Sequence, residues 1–178
     1  MNISETVFAE YFRALNYEPY RYTKQEMRLS KTPDLKIFIE GILSMYCEVK
    51  EINEDERQDD IQHDNTYNIV SDCIYGSSKQ FLAVNPAHNQ PNILAIYSRR
   101  TGTDIQDFKI TYEGVLETEK GERWPFLKNV SEGRIKKMKT EIDLCIWYDE
   151  FEETFKKCFC SDSPHYNRLK LFFPDKNI

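Results

Sequence analysis

Residues 33–52 read PDLKIFIEGILSMYCEVKEI, and this stretch decides the fold. Two segments with strand-like composition, residues 35–39 and 44–52, lie on either side of four residues that include Gly41. Short β-rich runs separated by a few residues containing glycine are typical of a β-hairpin. The sequence therefore predicts two paired antiparallel strands here.

Charged side chains lie at corresponding places on the two predicted strands. Pro33-Asp34 opens the first strand, and Glu48-Val49-Lys50 lies within the second. Because side chains alternate along a strand, Glu48 and Lys50 point to one face while Val49 points to the other. Pairing of the strands is expected to bring Asp34 beside Glu48 and Lys50, so that two carboxylates and one amine meet.

Such a trio has a specific chemistry. Two carboxylates can hold Mg²⁺, a hard cation that prefers oxygen ligands and keeps several of its waters. The ion lowers the pKa of a bound water and neutralises charge on a phosphate. The lysine could orient the attacking water, stabilise developing charge, or act as a base if its pKa is depressed, and the sequence leaves these roles open.

Pro33-Asp34 followed by Glu48-Val49-Lys50 resembles the motif of the PD-(D/E)XK nuclease superfamily, whose members share the restriction-endonuclease-like fold. Thirteen residues separate Asp34 from Glu48, a suitable gap for two paired strands. The predicted order of helix, hairpin, helix and buried strand over residues 4–98 also agrees with this family. The resemblance implies that Asp34 and Glu48 bind Mg²⁺ or Mn²⁺ and that Lys50 is the catalytic lysine.

The resemblance also implies a further acid on the first helix. Residues 4–16 are predicted to form this helix, with Ser4 as its N-cap. Glu5 lies at the edge of its apolar stripe and can face the sheet, whereas Glu10 faces water. Glu5 is therefore the predicted supporting acid. The stripe consists of Val7, Phe8, Tyr11, Phe12 and Leu15.

Polar and basic residues elsewhere are candidates for substrate binding. Lys79-Gln80 lies on a second predicted helix, residues 66–85, where many members of the superfamily carry a polar residue near the site. Arg99-Arg100 and the basic run of residues 134–139 could contact nucleic acid. For each of these groups, an ordinary solvated surface is the alternative interpretation.

Further segments complete the predicted fold. Residues 92–97 form a short apolar run that is typical of a strand covered on both faces. Residues 142–148 are predicted as a last strand, residues 108–112 alternate as a strand would, and the acid-rich residues 53–64 are predicted as a solvated loop. The expected fold is α/β, with a central mixed sheet flanked by helices in one domain.

Composition limits the classes of protein. The chain has 178 residues with 40% hydrophobic residues and a net charge of −6. The acidic balance argues against a protein that coats nucleic acid by bulk electrostatics. No membrane span or secretory segment is recognised, so no membrane partner and a cytoplasmic location are expected. An odd number of cysteines, five, suggests reduced thiols.

Other metal and catalytic patterns are weaker. Cys158-Phe159-Cys160 with His165 lacks a second ligand pair at zinc spacing. His63, His88 and His165 form no triad or zinc pattern in the sequence. We interpret the acidic pair Asp104/Asp107 as solvated loop residues, and the chain has no Gly-rich phosphate loop.

The sequence thus predicts a Mg²⁺- or Mn²⁺-dependent endonuclease or related phosphodiesterase. A metal-activated water would attack phosphorus in nucleic acid, with DNA as the expected substrate, and a homodimer could cut both strands. One alternative is a catalytically inactive nuclease-fold protein that serves as a binding or scaffold module. Another is an acidic interaction protein that blocks a nucleic-acid-binding partner.

Overall fold

A computed structural model describes residues 2–29, 31–54, 66–118, 120–125 and 135–174. Their main feature is a six-stranded mixed sheet with helices on both faces. The helices are α1 (Ile3–Ala14), α2 (Lys24–Leu29), α3 (Thr66–Val84), α4 (Ile105–Glu113) and α5 (Tyr166–Phe172), with a 3₁₀ turn at Lys139–Glu141. The strands are β1 (Glu18–Arg21), β2 (Leu35–Ile39), β3 (Ile42–Ile52), β4 (Asn92–Ser98), β5 (Val115–Glu117), β6 (Arg123–Pro125), β7 (Leu144–Asp149) and β8 (Thr154–Phe159).

The predicted hairpin is present as β2 and β3. The strands pair antiparallel, with Leu35 opposite Cys47 and Ile37 opposite Met45. The turn places Glu40 and Gly41 at φ angles of 52° and 74°, the left-handed region that glycine enters without steric cost. β1 pairs antiparallel with β2 and extends this half of the sheet to one edge.

The centre of the sheet is parallel. The strand order is β1-β2-β3-β4-β7-β8, and β4 pairs parallel with both β3 and β7. Parallel neighbours need a long crossover, and α3 lies between β3 and β4 in the chain. All seven residues of β4 are buried, as its apolar sequence predicted. Strand β8 closes the other edge in the antiparallel direction.

Two hydrophobic clusters cover the two faces of the sheet. Helix α1 contributes Phe8 and Phe12 to the cluster that contains Cys47 and Val49 of β3. Helices α3 and α4 cover the opposite face, where Tyr46 of β3 packs against their cluster. This arrangement confirms the α/β class and the mixed sheet flanked by helices.

The strand predicted at residues 108–112 is wrong, because these residues lie in helix α4. Its start is fixed by Asp104, whose side chain accepts a hydrogen bond from the backbone of Gln106 at 2.7 Å and forms a reciprocal capping box with Asp107. Gly114 ends the helix at a φ of 70°. The capping interactions at both ends favour a helix, whereas the alternation of side chains had predicted a strand.

Smaller differences concern the first helix and its successor. Asn2, not Ser4, is the N-cap of α1, and Ser4 is a buried residue inside the helix. Helix α2 was not predicted, although Thr23 and Glu26 carry a capping-box signature: the Thr23 backbone N–H donates to Glu26 Oε2 at 2.7 Å. Within the described residues, no helix is long and apolar enough to span a bilayer. Most of the predicted loop at residues 53–64 lies outside the described part of the chain.

Candidate active site

The structure brings together the side chains of Asp34, Glu48 and Lys50. Asp34 lies just before β2, and its Oδ2 accepts a hydrogen bond from the backbone N–H of Val49 at 2.8 Å. This bond fixes the Asp34 carboxylate beside the middle of β3. On β3, the ammonium group of Lys50 donates to Glu48 Oε1 and forms an ion pair with it.

Glu48 is almost fully buried, with 2% of its surface exposed. Its Oε1 also accepts a hydrogen bond from Gln80 Nε2 at 2.6 Å, whereas its Oε2 is buried without a partner among the described residues. Burial and, after it, the neighbouring Asp34 raise the pKa of Glu48 to about 8 against the opposing effect of Lys50. The unpartnered oxygen needs either a proton or a cation.

These residues fit a divalent cation. Asp34 is close enough for its charge to raise the pKa of Glu48. Two adjacent carboxylates, one with a buried oxygen that lacks a donor, form the oxygen-rich ligand set that Mg²⁺ and Mn²⁺ prefer. A cation at this place would relieve both the repulsion and the unsatisfied oxygen.

Helix α3 covers the trio. Gln80 reaches Glu48 from this helix, one turn beyond Gly76. A Cβ atom added at Gly76 would lie 3.8 Å from Lys50 Cε, so the helix backbone runs close beside the lysine stem. Helix packing therefore confines Lys50 and holds the Gln80 amide against the buried carboxylate.

A basic cleft opens beside this covered trio. It has a volume of about 620 Å³ and lies between α3 and the segment that contains α2. Gln80, which contacts Glu48, and Gly76, which lies beside the Lys50 stem, form part of its wall. The cleft also presents three exposed cationic side chains, which we call the cleft cations: Arg28, Lys31 and Lys79.

The two residues of the predicted Lys79-Gln80 pair have different surroundings. The Gln80 amide is engaged with Glu48. Lys79 is exposed at the cleft, and its Nζ lies 4.0 Å from the centroid of the Tyr75 ring. Gln80 is thus placed to position a carboxylate, and Lys79 is placed to meet a ligand in the cleft.

Glu5 lies on helix α1 and pairs with a cation of the edge strand. Its carboxylate forms an ion pair with Arg21 of β1. Helix α1 packs on the face of the sheet that carries Cys47 and Val49, whereas Glu48 and Lys50 point to the other face. The structure therefore gives Glu5 an ion-pair partner on the edge strand, and its role as a supporting acid stays a prediction.

Arg99 and Arg100 follow β4. Arg99 Nε lies 3.2 Å from Glu150 Oε2, and its guanidinium carbon lies 5.1 Å from the Tyr97 ring centroid. The backbone N–H of Arg100 donates to Ser98 Oγ at 3.3 Å. Neither residue lines the basic cleft, and their role in substrate binding stays a prediction.

Sequence reasoning missed two groups of residues. Arg28 and Lys31 reach the cleft through α2 and the loop after it, and the Thr23/Glu26 capping box was the signal that could have revealed this helix. His88 and His165 were judged unrelated, but the structure brings both beside a buried aspartate, Asp143. Residues so far apart in sequence carry no local signal of this contact.

Comparison of the chain with protein-family models, curated proteins and solved structures found no match. The function is therefore inferred from the chemistry and geometry of the site.

Proposed function

We propose that this protein is a Mg²⁺- or Mn²⁺-dependent nuclease of the PD-(D/E)XK type that acts on DNA. The observation that carries the proposal is the Asp34–Glu48–Lys50 trio, in which one carboxylate oxygen is buried without a hydrogen-bond donor. The ion pair with Lys50 leaves that oxygen unsatisfied, and an unsatisfied buried acceptor costs about 1–3 kcal/mol unless a cation or a proton meets it.

The order and pairing of the elements support a restriction-endonuclease-like fold. An amphipathic helix precedes a three-stranded antiparallel unit, and a crossover helix then leads to a strand that pairs parallel with β3. The two acids lie just before β2 and in the middle of β3, which are neighbouring strands of this unit. This is the placement that the sequence resemblance implies.

Each residue has a definite role in the proposal. Asp34 and Glu48 hold the metal, which when bound lowers the pKa of a water and offsets phosphate charge. Lys50 orients the attacking water and stabilises the charge that develops as it adds to phosphorus. Gln80 fixes the rotamer of Glu48 through its 2.6 Å hydrogen bond. The cleft cations attract and align the phosphate backbone.

One observation favours the non-catalytic alternative. Lys50 pairs directly with Glu48, so the trio can partly neutralise itself without a metal. In that case the cleft cations would bind nucleic acid, and the protein would act as a binding or scaffold module. The two functions differ in whether a divalent ion is bound and whether the phosphodiester is cut.

A cleavage assay with a matched lysine control tests the proposal. Single-stranded, duplex and branched DNA and the corresponding RNA are incubated with Mg²⁺ or Mn²⁺ and with wild type, Lys50→Ala or Lys109→Ala. Lys109 of helix α4 forms an ion pair with Glu117 of β5 at 3.0 Å, and it should be dispensable for cleavage. We expect Lys50→Ala to lower the cleavage rate at least ~100-fold, and Lys109→Ala to cut like wild type.

The other outcomes are equally informative. Equal cutting by wild type and Lys50→Ala would remove Lys50 from the mechanism. Tight binding of DNA without cleavage under any divalent ion would favour the scaffold function.

Light scattering of the protein with and without a duplex tests the predicted homodimer, for which a doubled mass is expected.

A further inference from the structure

A second cluster of metal-ligating side chains lies outside the candidate active site. His88, Asp143 and His165 each offer one ligand atom, and these atoms all lie within 4.8 Å of one another. They come from three separate segments: the loop between α3 and β4, the residue before β7, and the turn before α5. The cluster lies at the amino-terminal ends of the parallel strands β4 and β7.

Asp143 is the buried centre of this cluster. It is 0% exposed, and its Oδ2 lies 2.7 Å from His88 Nε2 and accepts the backbone N–H of Asn92 at 2.7 Å. Ser163 Oγ donates to Oδ1. A carboxylate that is buried and held from several sides provides a fixed anionic ligand.

The two imidazoles are also held in place. His165 Nε2 lies 2.8 Å from the backbone carbonyl oxygen of His88. Because a carbonyl oxygen can only accept, this nitrogen carries the proton, and in the neutral ring Nδ1 carries the lone pair. Metal-binding histidines commonly donate their other N–H to a carbonyl or carboxylate in this way.

The loop that carries His88 is organised by Asn85. The side chain of Asn85 accepts the backbone N–H of Asn89 at 3.0 Å and donates to the Gln90 carbonyl at 2.7 Å. His88 itself has a φ of 48°, a left-handed conformation that is uncommon for a residue with a Cβ. The backbone therefore presents the imidazole in a fixed position.

We propose that His88, Asp143 and His165 form a Zn²⁺ site that joins the α3–β4 loop to the C-terminal segment. Two nitrogens and one carboxylate oxygen suit Zn²⁺, which prefers tetrahedral ligation by such atoms, and water completes the fourth position. Bonds of about 2.0–2.2 Å in that geometry separate two ligand atoms by roughly 3.3 Å. Zinc binding therefore requires only a small increase in the 2.7 Å distance between His88 Nε2 and Asp143 Oδ2.

The site differs in character from the Asp34–Glu48 pair. The latter offers carboxylate oxygens, which suit Mg²⁺, whereas imidazole nitrogens select zinc and other transition metals. The distinction keeps this inference independent of the proposed nuclease function. It also provides a control, because a change at Glu48 should leave zinc binding intact.

Zinc binding to the purified, chelator-treated protein tests the proposal. Isothermal titration with ZnCl₂ should give one strong site for wild type, and a Zn²⁺ concentration one hundred times the Kd should raise Tm by roughly 5–10 °C. His165→Gln should weaken binding at least tenfold while retaining a similar side-chain size. Glu48→Gln should bind like wild type.

A spectroscopic measurement separates this cluster from the five cysteines. Co²⁺ substituted at an imidazole and carboxylate site gives weak visible bands without the intense near-ultraviolet absorption of cobalt–thiolate bonds. Those visible bands should be lost in His88→Gln as well as in His165→Gln, with the fold monitored by circular dichroism. Strong zinc binding by His165→Gln, or a thiolate signature in wild type, would overturn the proposal.

Discussion

Glu48 shows, at the scale of one residue, how a candidate catalytic group opposes stability. It is buried, and desolvation raises its pKa from the ordinary carboxyl range to about 8. In the metal-free protein the native state therefore retains a proton that the unfolded chain releases near pH 4.5. Where the native state binds more protons than the unfolded state, stability falls as pH rises.

The first prediction concerns this pH dependence. In EDTA, the free energy of unfolding of wild type should fall between about pH 4.5 and pH 8, the interval between the two pKa values of Glu48. Glu48→Gln should flatten this fall and be more stable than wild type by roughly 1–3 kcal/mol at pH 8, because its amide can donate hydrogen bonds where the oxygen could not. Urea unfolding at pH 5 and pH 8 measures both effects.

Divalent ions supply the control for this prediction. Saturating Mg²⁺ should stabilise wild type at pH 8 and should leave Glu48→Gln nearly unchanged, since the variant lacks one of the two proposed ligands. Equal pH profiles for the two proteins in EDTA would show that Glu48 is not the group that titrates.

At the scale of the element, helix α3 combines two requirements. It must be stable as a helix, and its backbone must run close beside Lys50. Gly76 lies inside this helix, where glycine costs about 1 kcal/mol relative to alanine. The nearest atom to an added Cβ would be Lys50 Cε at 3.8 Å, an ordinary van der Waals distance. A methyl group therefore fits beside the lysine.

A substitution series at Gly76 follows from this geometry. Gly76→Ala should increase the free energy of unfolding by about 0.5–1 kcal/mol and keep any Mg²⁺-dependent cleavage. Gly76→Leu should displace Lys50. The cleavage rate should then fall even under conditions in which the variant remains folded. Ala83→Gly, at an exposed position of the same helix, is the reciprocal control. It should lower the free energy of unfolding by about the amount by which Gly76→Ala raises it.

The start of helix α4 gives another prediction. Asp104→Ala removes the side chain that accepts the Gln106 N–H and should destabilise the protein by about 1 kcal/mol in thermal or urea unfolding. Gln106→Ala, at an exposed position of the same turn, should have little effect. A loss of divalent-ion binding in Asp104→Ala would instead identify the Asp104/Asp107 pair as metal ligands.

The elements differed in how far their sequences predicted them. Helix α3 and strands β3, β4 and β7 carry periodic or continuous apolar patterns, and their predicted bounds lie within a few residues of the observed ones. Strand β8 has the sequence TFKKCF, in which two adjacent lysines interrupt the alternation, and its pairing with β7 depends on tertiary context. The capping residues of α2 and α4 are also present in the sequence, and they indicate both helices.

The candidate site was predictable to the extent that its residues are local. Asp34, Glu48 and Lys50 belong to one hairpin, so strand pairing alone brings them together. The cleft depends on how α2 and α3 dock, and their residues lie far apart in the chain. Packing of that range leaves no periodic signal, which is why Arg28 and Lys31 were missed.

At the scale of the whole molecule, the protein carries a net charge of −6 but presents a local group of cations at its cleft. Such a distribution repels nucleic acid from most of the surface and attracts it to one place. Binding should therefore depend on few phosphate contacts and fall moderately with salt.

The cleft cations provide the corresponding prediction. Combined replacement of Arg28, Lys31 and Lys79 by alanine should weaken DNA binding at least tenfold and reduce the slope of log K against log salt by up to about 3. Replacement of Lys109, Lys120 and Lys156 by alanine removes the same charge away from the cleft and should alter binding much less. Fluorescence anisotropy across a salt series measures both quantities; equal losses would point to bulk charge.

The buried central strand β4 has a consequence for biosynthesis. Strand β3 obtains its parallel partner only after α3 and residues 92–98 have left the ribosome. Until then, a growing chain that ends near Val84 displays a bare β3 edge, whose backbone groups lack the partners that β4 later provides. Such an edge is a template for pairing with other chains, so truncated products that stop before β4 should aggregate or require a chaperone, whereas the completed chain should not.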